Sequence, residues 1–320
     1  LANNHEDTKT PFVTCDFDVS LESECLCGFF QACGFLVMSK SSNLKIRDRT
    51  FEWGKRTYLM GILNVTPDSF SDGGDFYSTA AAVDQARALQ AAGADIIDLG
   101  GQSTRPGAKQ ITVTEELDRV LPVLQSIRPE IAVPISIDTT RTEVAKAAIQ
   151  AGADIINDIS AGTFEPEMLP AVAKLGVPII LMHIRGNPQT MQSMTVYQNL
   201  MQEISSFLSE RIAAAVAAGI DPDKIIIDPG IGFAKNYEQN LEILRCLSQL
   251  RPLNCPILVG PSRKSFLGHI LNQPDPKARI WGTAAACCAA IMQGADILRV
   301  HDVPQMRDAC LVADAIWRRF

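Results

Sequence analysis

Positive charge is what this sequence most lacks: its 320 residues carry a formal balance of −7. A general attraction to nucleic acid or to an anionic membrane is thereby disfavoured, so an anionic ligand must be met by cations placed locally. No apolar run is long enough to span a bilayer. The most apolar early stretch, Leu26 to Met38, is interrupted by Gln31 and preceded by Glu22 and Glu24, the wrong flank for a signal peptide. The nine cysteines are odd in number and have no framework spacing. A reducing, cytoplasmic compartment is therefore expected rather than a disulfide scaffold. Cys25, Cys27 and Cys33 also lack the paired downstream set that zinc sites use.

Sustained periodicity is absent from residues 1–50. They are expected to form a loosely ordered extension, and no function is assigned to them. From Phe51 the character changes. Residues 51–320 suit one domain, opened by a short hairpin from Phe51 to Tyr58 that closes a barrel floor.

The organising feature is a repeat. Ala92-Gly-Ala-Asp-Ile-Ile97 recurs almost unchanged as Ala151 to Ile156, and more loosely as Gln293 to Leu298. Each copy ends an alanine-rich amphipathic run at a glycine, which suits a left-handed helix cap, and then starts a β-branched run. The spacing leaves room for two βα units between the first copies and about four before the third. Helix and strand alternate from Tyr58 to Arg318 as eight βα units, the pattern of a (β/α)8 TIM barrel in the α/β class.

Parallel barrel strands are buried on both faces, so a polar residue at a C-terminal edge faces the mouth where barrel enzymes work. Such residues are Asn64, Gln102, Asp138, Asn157 with Asp158, His183, Asp228, Lys264, and Arg299 with His301. Helix capping is the plainer role for Asp138 and for one of Asn157 and Asp158, and turn initiation for Asp228. His183 either faces a ligand or bonds a neighbouring carbonyl. Lys264 and Arg299 are costly cations at buried strand ends unless an anion arrives. Three loops add chemistry. Residues 64–74 have the length and glycines of a lid, with Asp68, Ser69 and Asp72 around Phe70. Residues 100–107 carry hydroxyls and Arg105, suited to phosphate oxygens, and 260–266 set two cations beside hydroxyls.

Seven motifs stand in one order: NVTPDSFSDGG (64–74), STRPGA (103–108), ISIDT (135–139), AGADIINDIS (151–160), DPGIGF (228–233), SRKSF (262–266) and RVHD (299–302). On these the chain, from about Tyr58 to Phe320, resembles the dihydropteroate synthases of the pterin-binding barrel family. The resemblance implies condensation of 6-hydroxymethyl-7,8-dihydropterin pyrophosphate with p-aminobenzoate to 7,8-dihydropteroate, assisted by Mg²⁺. It implies that Asp138, Asn157, Asp228 and Lys264 read the pterin edge over an apolar floor of Met182 and Phe233. Arg299 and His301 would then grip pyrophosphate, and Asn64 would supply an oxygen to Mg²⁺. Asp72, Thr104 and Arg105 would complete the site on loop closure. Phe70, Pro106 and Phe233 would hold p-aminobenzoate near Lys264 and Ser265. Asp138, Lys264, Asp72 and Arg105 are the catalytic candidates. The partners expected are these small molecules, with neither nucleic acid nor membrane.

The sequence departs from the family pattern at Gln102, where Glu is usual, at Ala234, where Gly is usual, and at Ile184-Arg185. A methyltetrahydrofolate/corrinoid methyltransferase barrel is the competing reading, since it shares the Asp, Asn and Asp pterin readers. It has no pyrophosphate to expel, and so no use for Asn64 with a metal, the second loop, or Arg299 with His301. The alanine-rich helix from Thr283 and the final helix suit a homodimer interface, though small residues equally suit a tight barrel wall.

Overall fold

The computed structural model describes residues 43–66 and 75–318. Phe70 and Asp72 of the expected lid, and most of the 1–50 segment, lie outside the described residues. Eight parallel strands form the centre: β3 (Tyr58–Asn64), β4 (Ile96–Gly100), β5 (Ile135–Asp138), β6 (Ile155–Asp158), β7 (Ile179–Met182), β8 (Ile225–Asp228), β9 (Leu258–Val259) and β10 (Ile297–Val300). The sheet order is β8-β7-β6-β5-β4-β3-β10-β9, and a bridge between Ile227 and Ile257 joins its ends into the expected (β/α)8 barrel. The strands are buried on both faces, which is why they read as isoleucine runs.

The surrounding helices are α1 (Asp75–Ala91), α2 (Val113–Ile127), α3 (Thr142–Gln150), α4 (Met168–Leu175), α5 (Leu200–Ala217), α6 (Tyr237–Cys246), α7 (Ser265–Leu271), α8 (Ile280–Met292) and α9 (Val303–Trp317). Side-chain chemistry sets their starts. Thr112 with Glu115 and Asn236 with Gln239 form capping boxes on α2 and α6, and Asn199 caps α5. That cap sets the start of α5 at Leu200. Helix α6 ends at Cys246 and tightens into a 3₁₀ turn, Leu247–Leu253, which contains Pro252. Helix α7 begins inside the expected 260–266 loop, at Ser265.

The repeat has a mechanical meaning. Gly93, Gly152 and Gly294 have φ of 98°, 107° and 97°, and at each the next amide returns to the helix, as from Ala94 to Leu89 at 3.0 Å. The aspartate of each copy then binds the start of a neighbouring strand. Asp95 accepts from the amide of Leu59 at 2.9 Å, Asp154 from Ile135 at 2.9 Å, and Asp296 from Ile257 at 3.0 Å. The repeat thus sets the register at the barrel's lower rim.

A hairpin does close that end, but it is formed by β1 (Leu44–Ile46) and β2 (Arg49–Phe51), not by 51–58. Residues 52–57, inside the expected hairpin, instead form the link to β3. Leu44, Ile46 and Phe51 plug the floor against Tyr58, Met60, Ile96, Ile155, Ile180, Ile226, Leu258 and Ile297. Arg47 reaches Asp154 at 2.6 Å, and Arg56 grips both oxygens of Asp95 at 3.0 and 2.8 Å. Burial of this apolar layer, anchored by charges at its edge, holds the bottom closed and leaves the top for ligands.

Candidate active site

Strand register brings the polar ends into one row. Asn64 is the partner of Gly100, Gly100 of Asp138, and Asp138 of Asn157, so the first four barrel strands end level. Gly100, which has no side chain, leaves Asn64 and Asp138 facing a common space: a Cβ there would lie 3.6 Å from Asn64 Oδ1 and 3.5 Å from Asp138 Cβ. Further round, Met182 is the partner of Asp228. From β10, Arg299 reaches back across the mouth and donates to Asp138 Oδ2 at 2.8 Å.

Asn157, not Asp158, is the residue that faces the interior. The carboxylate of Asp158 accepts from the amides of Ser160 and Gly162 and from the Ser160 hydroxyl, so it is the turn cap. Asp228 has both roles in part: one oxygen fixes the Gly230 amide at 2.7 Å, and the other makes no hydrogen bond among the described residues. Gly230 is required there, because its φ is 72° and a Cβ would collide with the carbonyl of His183. Met182 and Phe233, with Ile159, Ile184 and Met191, build an apolar wall beside these groups. Lys264 lies over the Phe233 ring, 4.3 Å from its centre.

His183 is buried with its Nδ1 2.9 Å from Lys235 Nζ, and it packs edge-on against Phe207. His301 does lie at the mouth, with Nδ1 3.0 Å from the Ser262 hydroxyl. Thr104 lines a cavity of about 290 Å³ with Asp138, Ile159, Phe164 and Gln102. Arg105 and Pro106 are exposed on the second loop beside it, and Ser265 is exposed at the first position of α7. Gln102 staples the second loop: its amide nitrogen donates to the carbonyls of Ser103 and Lys109, and its oxygen accepts from the Ile111 amide. A glutamate could not donate those two bonds. Ala234 sits at φ 50°, the left-handed conformation that makes glycine usual there.

Burial dominates the electrostatics. It pushes Asp138 up to about 7, against the pull of Arg299 and with the help of Asp98. Asp228 rises to about 6 by burial, opposed by the Gly230 amide and by Lys264. Burial and then Arg299 bring Lys264 down to about 8. His301 falls to about 3 through burial, Arg263 and Arg299, so without a ligand it offers a neutral hydrogen bond and no charge. Burial works against the charge of Arg299 too, but Asp98 and Asp138 overcome it and keep the guanidinium protonated.

The sequence reading missed Asp98. It lies inside the apolar run of β4, two residues before the strand end, with its carboxylate fully buried. The signal was available, since an acid within a parallel strand is expensive unless it is paired. Among the described residues, no group of three His, Cys, Asp or Glu side chains is gathered to hold a metal. No helix among them is long and apolar enough to cross a membrane.

The sequence profile described as pterin binding enzyme matches residues 60–301. A protein of Synechocystis described as dihydropteroate synthase is 59% identical over 275 residues, covering 86% of this chain and 95% of that one. Among solved structures, the Xanthomonas albilineans dihydropteroate synthase with 4-aminobenzoic acid is similar with a TM-score of 0.81 and 43% identity, covering 87% of this chain and 98% of that one. A structure of that enzyme with 7,8-dihydropteroate is similar with a TM-score of 0.77 and 40% identity, over 86% and 98% of the two chains.

Proposed function

We propose that this chain, which belongs to the pterin-binding enzyme family, is an alkyl transferase that joins 6-hydroxymethyl-7,8-dihydropterin pyrophosphate to p-aminobenzoate, giving 7,8-dihydropteroate and pyrophosphate in folate biosynthesis. The observation that carries this reading is the Asp138–Arg299 contact within the row of strand ends. An acid suited to a cationic heterocycle lies beside a base suited to a departing diphosphate. A methyl-carrying barrel has no leaving group to occupy Arg299 and His301.

Asp138, Asn157, Asp228 and Lys264 bind the alternating donors and acceptors of the pterin edge, and Met182 and Phe233 hold its faces. The C–O bond breaks first, its electron pair leaving with pyrophosphate. Asp138 stabilises the resulting pterin cation, and Arg299 with His301 receives the leaving group. The arylamine nitrogen then supplies its lone pair to the methylene carbon and loses its proton to the released pyrophosphate or, through solvent, to water. No protein nucleophile is required. Closure of the first two loops brings Asp72, Thr104 and Arg105 to the pyrophosphate, and Phe70 and Pro106 to the aminobenzoate ring beside Phe233, Lys264 and Ser265. Closure also excludes the water that competes for the cation.

Mg²⁺ fits the donor set, because Asn64 offers one neutral oxygen at the rim and phosphate oxygens and water suffice for the rest. The ion, when bound, neutralises charge on the leaving pyrophosphate. The outward side of α8 and α9 leaves Trp281, Leu311, Val312 and Ile316 exposed, an apolar surface that suits a second copy of this chain in a homodimer. The test is direct: purified chain, pterin pyrophosphate, p-aminobenzoate and Mg²⁺ should yield dihydropteroate, and chelation should stop turnover reversibly. No product at any metal concentration would exclude the reaction.

A further inference from the structure

We propose that Asp98 is a positioning residue of this site, a buried carboxylate that anchors the Arg299 guanidinium and orients the Asn157 amide so that Asp138 is free to turn to the pterin. The inference rests on the reaction proposed above. Along β4, Ile97 and Leu99 join the core under the helices while Ile96 joins the floor, so alternation aims Asp98 into the barrel above that floor. Its Oδ2 accepts from Arg299 Nε at 2.6 Å and from Asn157 Nδ2 at 3.2 Å. Its Oδ1 is buried with no hydrogen-bond partner among the described residues.

Stability does not account for such a group. A buried ion pair contributes little against an apolar replacement, and a bare carboxylate oxygen adds a desolvation cost. Position does account for it. Arg299 is forked, with Nε on Asp98 and one terminal nitrogen on Asp138. When Asp138 turns to a ligand, an arginine held by it alone either follows it or is left buried without a counter-charge. Bound also to Asp98, the guanidinium stays in the wall with a terminal nitrogen released for an anionic oxygen. The second bond sets recognition. Asp98 Oδ2 accepts from the amide nitrogen of Asn157, so the amide oxygen is what remains for the ligand. Asn157 therefore reads a donor on the pterin.

Two measurements on the full chain test this. In isotope-labelled protein, the Arg299 Nε–H resonance, identified by its loss in Arg299→Lys, should be strongly shifted and slow to exchange. It should stay so when pterin pyrophosphate binds without p-aminobenzoate. Rapid exchange, or movement to the position of a solvent-exposed arginine on binding, would overturn the proposal. In kinetics, Asp98→Asn should lower kcat roughly 10–100-fold, the scale on which outer partners of a site act, with a melting temperature close to that of the parent. In the Arg299→Lys background the same change should cost several-fold less, because one of the two residues it acts through has gone. Equal losses in both backgrounds would make Asp98 merely structural. If Asp98→Asn does not fold, the resonance of the unaltered protein decides. A parent chain that makes no dihydropteroate would sink the reaction but leave the resonance test intact.

Discussion

Arg299 donates to Asp138 across 2.8 Å although 161 residues separate them in the chain. Barrel closure makes the contact, since β10 pairs with β3 and the side chain then reaches over β4 to β5. Each partner alters the other. Asp138 holds its proton more firmly than a carboxyl in water but less firmly than burial alone would dictate, and Arg299 keeps its charge in a place that disfavours charge. The acid is thereby available to a developing cation at the moment Arg299 turns to an anion.

Asp138→Asn keeps the shape of the site and removes this charge. Turnover should fall about 100-fold, while pterin binding and the melting temperature change far less. Steady-state kinetics beside calorimetric binding check it, and an unaltered kcat would remove Asp138 from the chemistry.

The stability of the ligand-free protein should carry the mark of the same group. Asp138 moves from 3.8 to about 7, so in that interval the folded chain holds a proton the unfolded chain has released. Its contribution is complete below the unfolded value and is lost as pH rises through the folded one. Asp228, raised to about 6, acts in the same sense. Melting temperatures of the parent and of Asp138→Asn, compared from about pH 4.5 to about pH 7.5, should diverge in favour of the variant as pH rises. Divergence in the opposite direction contradicts the assignment.

Gln102→Glu should loosen the second loop without harming the barrel. The two carbonyls of Ser103 and Lys109 lose their donor and face a carboxylate instead. Hydrogen exchange of amides 103–111 should quicken roughly tenfold, with turnover retained within a few-fold. Unchanged exchange would show that the loop is held by something else.

Asp154→Ala addresses the opposite end of the barrel. It strips a carboxylate from Arg47, Arg128 and the Ile135 amide, and unfolding should become easier by about 3 kcal/mol. Because the lower rim is remote from the mouth, kcat of the folded variant should stay near that of the parent. Denaturant titration beside an activity assay separates the two effects, and a variant that is stable but inactive would reverse the division of labour between the barrel's ends.

Much of this was legible in the order of residues alone. Isoleucine runs had to be strands buried on both faces, and glycine after an alanine-rich run had to end a helix. A polar residue closing a buried strand faces the mouth or, like Asp158, caps the turn that follows. Local constraints of that kind determined the eight units and nearly every expected residue at the rim. Tertiary structure alone decided which polar groups touch. Register made Asn64, Asp138 and Asn157 level, and closure gave Arg299 two acids, one of them Asp98, hidden in mid-strand. It also turned His183 inward to Lys235 and put the floor hairpin at 44–51. The reason is one of range. Helix caps and strand burial depend on neighbours a few residues away, whereas an ion pair between distant strands depends on the whole sheet having closed in one register.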